Sequence, residues 1–137
     1  MSSEGYHYVL TVVDLCTRWV SFLPVKTKFP VEIMAALCHS WFHTHGLPEV
    51  ILSDRVKEFM GVVATVCELL NISHHRTTPY HPRANGLCEV QHKLLTVELR
   101  LRSARPSCPE WPGLLTEIAF CHNVSPMKVL ANHSPFQ

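Results

Sequence analysis

Two short apolar runs near the start of the chain have the composition of β-strands. Tyr8–Val13 carries β-branched and apolar residues on both alternating faces, a pattern typical of a strand that is covered on two sides. Residues 14–18 have the composition of a turn, and residues 19–24 form a second apolar run. The pattern predicts a β-hairpin.

The rest of the chain alternates between helical and extended patterns. Apolar positions at helical spacing predict helices over residues 30–45, 62–70, 87–102 and 111–122. Short apolar runs predict strands over residues 49–53 and 73–77, and the proline-containing residues 78–86 predict a loop. This order predicts a single α/β domain over residues 1–137, with a mixed sheet flanked by helices.

The predicted long helix has one polar face and two apolar stripes. At about 100° per residue, the polar face holds Glu89, His92, Lys93, Thr96 and Arg100. The first apolar stripe consists of Val90, Leu94, Val97 and Leu101, and the second of Cys88, Leu95 and Leu99. Two stripes predict two packing partners, so the second stripe is a candidate homodimer interface.

Composition narrows the class of protein. Hydrophobic residues make up 47% and charged residues 17% of the 137 residues, which is ordinary for a folded α/β protein. The first residues have no basic and apolar signal pattern, and no apolar run is long enough to cross a bilayer, which argues against a membrane role. Six cysteines without a C-x-x-C pair favour reduced thiols, and hence a nuclear or cytoplasmic location.

Net charge neither supports nor excludes a nucleic-acid partner, because it is only +1. Its distribution is more informative, since residues 83–105 hold a local excess of basic side chains: Arg83, Lys93, Arg100, Arg102 and Arg105 against Glu89 and Glu98. This segment is the candidate for contact with a phosphate backbone.

Short motifs occur in order along nearly the whole chain, from about Gly5 to Gln137. They are Tyr8–Val13 with Asp14, Thr17-Arg18-Trp19-Val20, Gly46-Leu47-Pro48, Ser53-Asp54-Arg55, Thr77-Thr78-Pro79-Tyr80-His81-Pro82, Asn85-Gly86-Leu87-Cys88-Glu89 and Ser134-Pro135-Phe136. In this order they resemble the catalytic cores of integrases from gypsy-type LTR retrotransposons. The most specific part is the Pro-Tyr-His-Pro loop followed by Asn-Gly-x-x-Glu, because a proline-rich loop that leads into an acidic helix start is unusual by chance.

The resemblance implies an RNase H-like fold and two-metal phosphoryl transfer, in which paired Mg²⁺ (or Mn²⁺) ions stabilise the attacking and leaving oxygens. Asp54 matches the second carboxylate of the family's Asp-Asp-Glu set and Glu89 the third, as catalytic and metal-binding residues. Thirty-four residues, Arg55 through Cys88, separate them. The family's usual interval is one residue longer.

The residues expected to contact DNA lie on the long helix and on the loop before it. They are His81, Arg83, Asn85, His92, Lys93 and Arg100. For His81 and Asn85, hydrogen bonds that order the loop are an equally good explanation. We expect DNA as the partner, with a homodimer as a further candidate and no small-molecule substrate.

The chain also departs from the family pattern. The family's first carboxylate lies on a strand before the one that begins at Tyr8, in a segment that these 137 residues do not contain, so we expect the sheet to lack its first strand. Asp14 occupies a hairpin-turn position instead. Val56 stands where the family has glycine, and Val90 where a basic residue is usual. These departures favour a decayed or domesticated integrase core in which these 137 residues are catalytically incompetent by themselves.

Other interpretations remain open from the sequence alone. The alternatives are an active Mg²⁺-dependent DNA-strand-transferring integrase core and an unrelated α/β domain in which Asp54 caps a turn and Glu89 pairs with Lys93. His39 and His43 share a helix face with Cys38 nearby, but a structural zinc site needs four ligands, so no zinc is expected. His74 and His75 are expected to be ordinary strand residues.

Overall fold

A computed structural model describes residues 4–53, 61–76, 82–104 and 110–137, and for residues 82–85 the backbone alone. The predicted hairpin is present: strand β1 (Tyr8–Val13) pairs with strand β2 (Val20–Val25) antiparallel, from Tyr8 opposite Val25 to Val13 opposite Val20. The second strand begins and ends one residue later than predicted. Pro24 lies opposite Val9, at a position where the backbone nitrogen is not required to donate a hydrogen bond to β1.

A second pair of strands is parallel. Strand β3 (Val50–Ser53) pairs with strand β4 (Ser73–Arg76), with Val50 opposite Ser73 and Ser53 opposite Arg76. Among the described residues, β1 pairs only with β2 and β3 only with β4. The predicted mixture of antiparallel and parallel strands is present, and in the described part of the chain it is divided between two sheets of two strands.

Helices lie on both sides of these strands. They are α1 (Pro30–Leu37), a π-helical turn (Cys38–Phe42), α2 (His43–His45), α3 (Val62–Leu69), α4 (Pro82–Ser103) and α5 (Trp111–Val124), and a short 3₁₀ turn (Lys128–Leu130) follows. Helix α1 begins at a proline, whose φ angle suits the first helical turn. None of the helices in the described ranges is both long enough and apolar enough to span a bilayer.

Two of the predicted helix boundaries are wrong. The helix predicted over residues 30–45 changes to π-helical geometry at Cys38, a local change that periodicity does not reveal. The long helix starts at Pro82 rather than at residue 87, so the last five residues of the predicted loop are helical. Proline is well suited to the first helical turn, and the cost of Gly86, about 1 kcal/mol, is small enough for the rest of the helix to offset.

The core consists of two clusters on opposite faces of the strands. One joins α1, the π-helical turn and α3, through Ile33, Met34, Leu37, Trp41, Phe42, Val63, Cys67 and Ile72. The other joins β2, α4 and α5, through Val20, Phe22, Leu95, Leu114, Leu115 and Ile118. Strand β1 contributes to both, because Leu10 and Val12 pack on the first cluster and Val9 and Val13 on the second. The prediction that β1 is covered on two sides is confirmed.

The two apolar stripes of α4 have different environments. Leu95 is buried and Leu99 packs against the second cluster, so the stripe predicted as a homodimer interface is core. The other stripe, which consists of Val90, Leu94, Val97 and Leu101, is exposed. The homodimer prediction based on Leu95 and Leu99 is therefore wrong in its choice of residues, because α5 packs against that side of α4.

Candidate functional site

A cleft of about 1280 Å³ lies between β1 and β3. Every residue of both strands lines it, and the start of α4 closes one part of it through Cys88, Glu89 and His92. Ser53 at the end of β3 lines the same cleft. The cleft thus brings the C-terminal end of β3 and the first described turns of α4 to one opening.

Glu89 is exposed at this opening, on the polar face of α4. Asp54, its predicted partner, lies outside the described residues, but it directly follows Ser53 in the chain. The predicted pairing of Asp54 with Glu89 thus stays a prediction. Ser53, the residue before Asp54, and Glu89 line the same cleft.

The predicted polar face of α4 is exposed along its length. Glu89, His92, Lys93, Thr96 and Arg100 are all exposed. The His92 ring lies 3.5 Å from the hydroxyl oxygen of Thr11 on β1, which places this residue at the junction of helix and cleft. His81 lies outside the described residues, and the side chains of Arg83 and Asn85 are likewise not described.

Arg102 does not belong to this basic surface. Its guanidinium forms a 3.0 Å ion pair with Glu98 on α4 and a second ion pair with Glu117 on α5. The hydrogen bonds that the guanidinium donates to Glu98 and to the Cys121 sulfur, together with the nearby carboxylates, raise the pKa of Arg102, against a smaller opposing effect of burial. Arg102 was counted in the basic excess of residues 83–105, but its positive charge is paired with Glu98 and Glu117. The positive charge that this segment can offer a phosphate backbone is therefore smaller than predicted.

Asp14 has the structural role predicted for it. Its carboxylate accepts hydrogen bonds from the Cys16 N–H (3.0 Å) and the Thr17 hydroxyl (2.7 Å), and its backbone closes the hairpin turn with Trp19 and Arg18. Partial burial raises the pKa of Asp14, but the hydrogen bonds and the charge of His45 together lower it by more. The net shift of the pKa is therefore downward. This carboxylate is therefore engaged in the turn.

A contact beside the site was missed by sequence reasoning. The hydroxyl oxygen of Ser53 lies 2.8 Å from the Nε2 atom of His74, across the parallel pairing of β3 with β4. Burial lowers the pKa of His74, and the charges of Arg76 and His75 lower it further. His74 and His75 are strand residues, as predicted. The contact of His74 with Ser53, the residue before Asp54, follows only from the register of β3 and β4.

The histidines considered for zinc have other partners. The rings of His39 and His43 meet edge to face at 5.5 Å, and His45 packs on Trp41 at 4.6 Å and on Trp19 at 5.4 Å. Within residues 4–53, 61–76, 82–104 and 110–137, no group of three or more His, Cys, Asp or Glu side chains is arranged to hold a metal ion.

The donor chemistry at the cleft nevertheless fits a hard cation. Mg²⁺ prefers carboxylate oxygens and commonly uses one or two of them together with substrate phosphates. Glu89 supplies one such group at the cleft, and Asp54 follows Ser53 there in sequence. Mg²⁺ bound by these two residues would stabilise charge on phosphoryl oxygens.

Comparison with curated proteins relates the chain to viral and retrotransposon polyproteins. It is 31% identical to the retrovirus-related Pol polyprotein from transposon RE2 of Arabidopsis thaliana, over 100% of this chain and 10% of that protein. It is 29% identical to the Gag-Pol polyprotein of avian reticuloendotheliosis virus, over 96% of the chain and 12% of that protein. The chain therefore spans only about a tenth of these relatives. No protein-family model matches it.

Solved structures share its fold. The catalytic core domain of BIV integrase aligns with a TM-score of 0.76 at 16% identity, covering 93% of this chain and 82% of that one. The HTLV-2 integrase catalytic core domain, solved in complex with magnesium, aligns with a TM-score of 0.75 at 17% identity, covering 95% and 90%. The predicted RNase H-like α/β fold is confirmed, and homology to Pol polyproteins supports an integrase-like catalytic core.

Proposed function

We propose that this integrase-core-like chain is a DNA-binding domain that is catalytically incompetent by itself, a decayed or domesticated core of the gypsy type. One observation carries the proposal: α4 presents Glu89, His92, Lys93 and Arg100 on one exposed face beside the cleft. Lysine and arginine on a solvent-facing helix can reach phosphate oxygens at little desolvation cost. The ordered motifs from β1 to Ser134 support the gypsy assignment, and a nuclear or cytoplasmic location is compatible with it.

The proposed incompetence rests on the carboxylates. Two-metal transfer needs a set of acidic ligands around both ions. Glu89 lies at the cleft, Asp54 directly follows the cleft residue Ser53 in sequence, and Asp14 is engaged by Cys16 and Thr17. With Asp54 and Glu89 alone, we expect binding of Mg²⁺ or Mn²⁺ to be weak and strand transfer to be absent.

DNA binding is tested by fluorescence anisotropy with a labelled duplex at several salt concentrations. We expect Lys93→Ala and Arg100→Ala each to weaken binding and to lower the slope of log affinity against log salt by about 1, because each removes one phosphate contact. Lys128→Ala is the matched control, because it removes the same charge from an exposed position on the 3₁₀ turn. Equal losses for all three variants, or no salt dependence, would exclude this face as the DNA surface.

Catalysis is tested separately, with a strand-transfer assay in Mg²⁺ and in Mn²⁺. We expect no product from the chain. Product that disappears in both Asp54→Asn and Glu89→Gln would overturn the incompetence and establish the active enzyme, for which the position of Glu89 at the cleft is the favouring observation.

A further inference from the structure

Two lysine–tyrosine pairs lie at one end of the β-hairpin. The Lys26 ammonium lies 5.3 Å from the centre of the Tyr6 ring, and the Lys28 ammonium lies 4.9 Å from the centre of the Tyr8 ring. Both distances are within the range of a cation–π interaction. The tyrosines lie at the start of β1 and the lysines just after β2, and the hairpin register brings them together. These four residues are called the lysine–tyrosine surface below.

The loop between β2 and α1 holds the two lysines in place. The Glu32 carboxylate on α1 accepts hydrogen bonds from the backbone N–H groups of Lys26 and Thr27, the second at 2.9 Å, and from the Thr27 hydroxyl. The Thr27 hydroxyl oxygen in turn accepts a hydrogen bond from the Phe29 N–H (3.2 Å). These bonds order the backbone on both sides of Lys28. They also occupy the carboxylate of Glu32, which would otherwise be a partner for the lysines.

The lysines and an aromatic ring of this surface are open to a partner. Lys26 and Lys28 are exposed, Tyr8 is 42% exposed, and Phe29, which follows Lys28 in sequence, is 70% exposed. Within the described ranges the side-chain ion pairs are those of Arg102, so neither lysine is held by a carboxylate. A lysine ammonium that lies over a ring keeps N–H donors for a phosphate, because it has three of them.

The spacing of the two tyrosines favours unpaired nucleotides over a duplex. The backbone between them is extended, because the His7 N–H donates to the Val25 carbonyl (3.2 Å) and continues the pairing of β1 with β2. Two residues of extended chain span about 6.6 Å, whereas the nucleotides of one strand in a duplex are about 3.4 Å apart. Rings at this spacing suit bases that are separated from one another. Proteins that bind single strands combine such aromatic side chains with positive charges along the backbone.

This surface is separate from the polar face of α4. Side chains alternate between the two faces of a strand, and Leu10 and Val12 pack on the cluster formed with α1. Val9 and Val13 pack on the cluster formed with α4. Tyr8 is in phase with Leu10 and Val12, so its side chain lies on the α1 side of the hairpin. A partner bound there does not require the duplex binding proposed for α4.

We propose that the lysine–tyrosine surface binds a single-stranded nucleic acid. Bases stack on the rings of Tyr6 and Tyr8, and phosphates contact the ammonium groups of Lys26 and Lys28. An acidic peptide would use the two charges but not the rings, so it fits this surface less well. Neither a ring nor an ammonium group distinguishes a 2′-hydroxyl, and the surface therefore suits a strand of DNA or of RNA.

The probes are fluorescein-labelled oligothymidylate and oligouridylate of about twelve nucleotides, and fluorescence anisotropy measures their binding to the whole chain. Saturable binding of either supports the proposal, and the tighter of the two identifies the kind of strand. Tyr8→Leu removes a stacking ring and should weaken binding at least about fivefold, whereas Tyr8→Phe keeps the ring and should bind within about twofold of the parent. Equal affinity of these two variants, or no binding by the parent, would overturn the proposal.

The charge of Lys28 is tested with the same probes at several salt concentrations. Lys28→Ala should lower the slope of log affinity against log salt by about 0.7, the value for one phosphate contact with a single strand, and Lys28→Arg should keep the slope. Lys128→Ala is the matched control, since it removes an exposed lysine from the 3₁₀ turn. If Tyr8→Leu does not fold, the lysine variants decide the question alone. Equal slopes for Lys28→Ala and the parent, or displacement of the oligonucleotide by an equal charge of polyglutamate, would contradict the inference.

Discussion

At the scale of single residues, side chains that bond to backbone hold the β-hairpin in place. Asp14 accepts hydrogen bonds within the turn, and Asn123 bonds both backbone groups of Val20 from a helix more than a hundred positions later. The first role follows from sequence, because Asp is favoured where a side chain must accept from N–H groups two residues on. The second does not, because nothing near Asn123 indicates its partner.

Asn123→Ala should destabilise the fold strongly. The substitution leaves a buried N–H and a buried C=O of Val20 without partners, so we expect the free energy of unfolding to fall by about 2–4 kcal/mol. Urea denaturation followed by circular dichroism measures it. Asn123→Asp is the matched variant: it keeps the acceptor for the Val20 N–H but sets a buried carboxylate oxygen against the Val20 carbonyl, so at neutral pH it should lose at least as much as alanine does. A loss below about 0.5 kcal/mol for alanine would contradict the capping role.

At the scale of elements, α4 shows what periodicity leaves undecided. The helix and its polar face were predicted correctly, since a regular pattern of 3.6 residues is a local property. Which apolar stripe packs against α5 depends on where α5 lies. The second stripe, at Leu95 and Leu99, is core, and the first is exposed.

Leu95→Ala and Leu94→Ala form a matched pair that tests this assignment. Leu95 is 4% exposed, so its truncation opens a cavity and should lower the free energy of unfolding by about 2–5 kcal/mol. Leu94 is 39% exposed, and its truncation should lower it by less than about 1 kcal/mol. Denaturant titration of both variants gives the comparison. Similar losses would mean that both stripes are packed.

At the scale of the whole molecule, several titratable groups make the fold sensitive to acid. Burial lowers the pKa of His122 below 6.5, against a smaller opposing effect of its hydrogen bond with the Arg18 backbone, and His74 is also shifted downward. The Thr27 hydroxyl and the N–H groups of Lys26 and Thr27 lower the pKa of Glu32, despite a smaller opposing effect of burial.

Stability should therefore fall in two steps as the pH is lowered. A histidine with a lowered folded-state pKa is protonated first in the unfolded chain, so stability is lost from about pH 6.5 downward. Asp14 and Glu32 contribute stability above their ordinary pKa values of 3.8 and 4.5, which is lost as the pH falls through their lower folded-state values.

Urea titrations at successive pH values measure the first step, and His122→Gln should reduce it. His43→Gln, at an exposed position, is the control. A His122→Gln variant whose stability changes with pH as steeply as that of the parent would exclude His122 as a source of this dependence.

The sequence alone determined the class of the fold, the order of its elements, the Asp14 turn and the polar face of α4, because these depend on residues close together in the chain. Tertiary structure alone decided which stripe of α4 is buried, that Asn123 caps β2, that Arg102 is neutralised by Glu117, and that β1 and β3 face each other across an open cleft. Each of these features is a contact or an arrangement of residues that lie far apart in the chain. Whether such a contact forms depends on which surfaces the fold brings together.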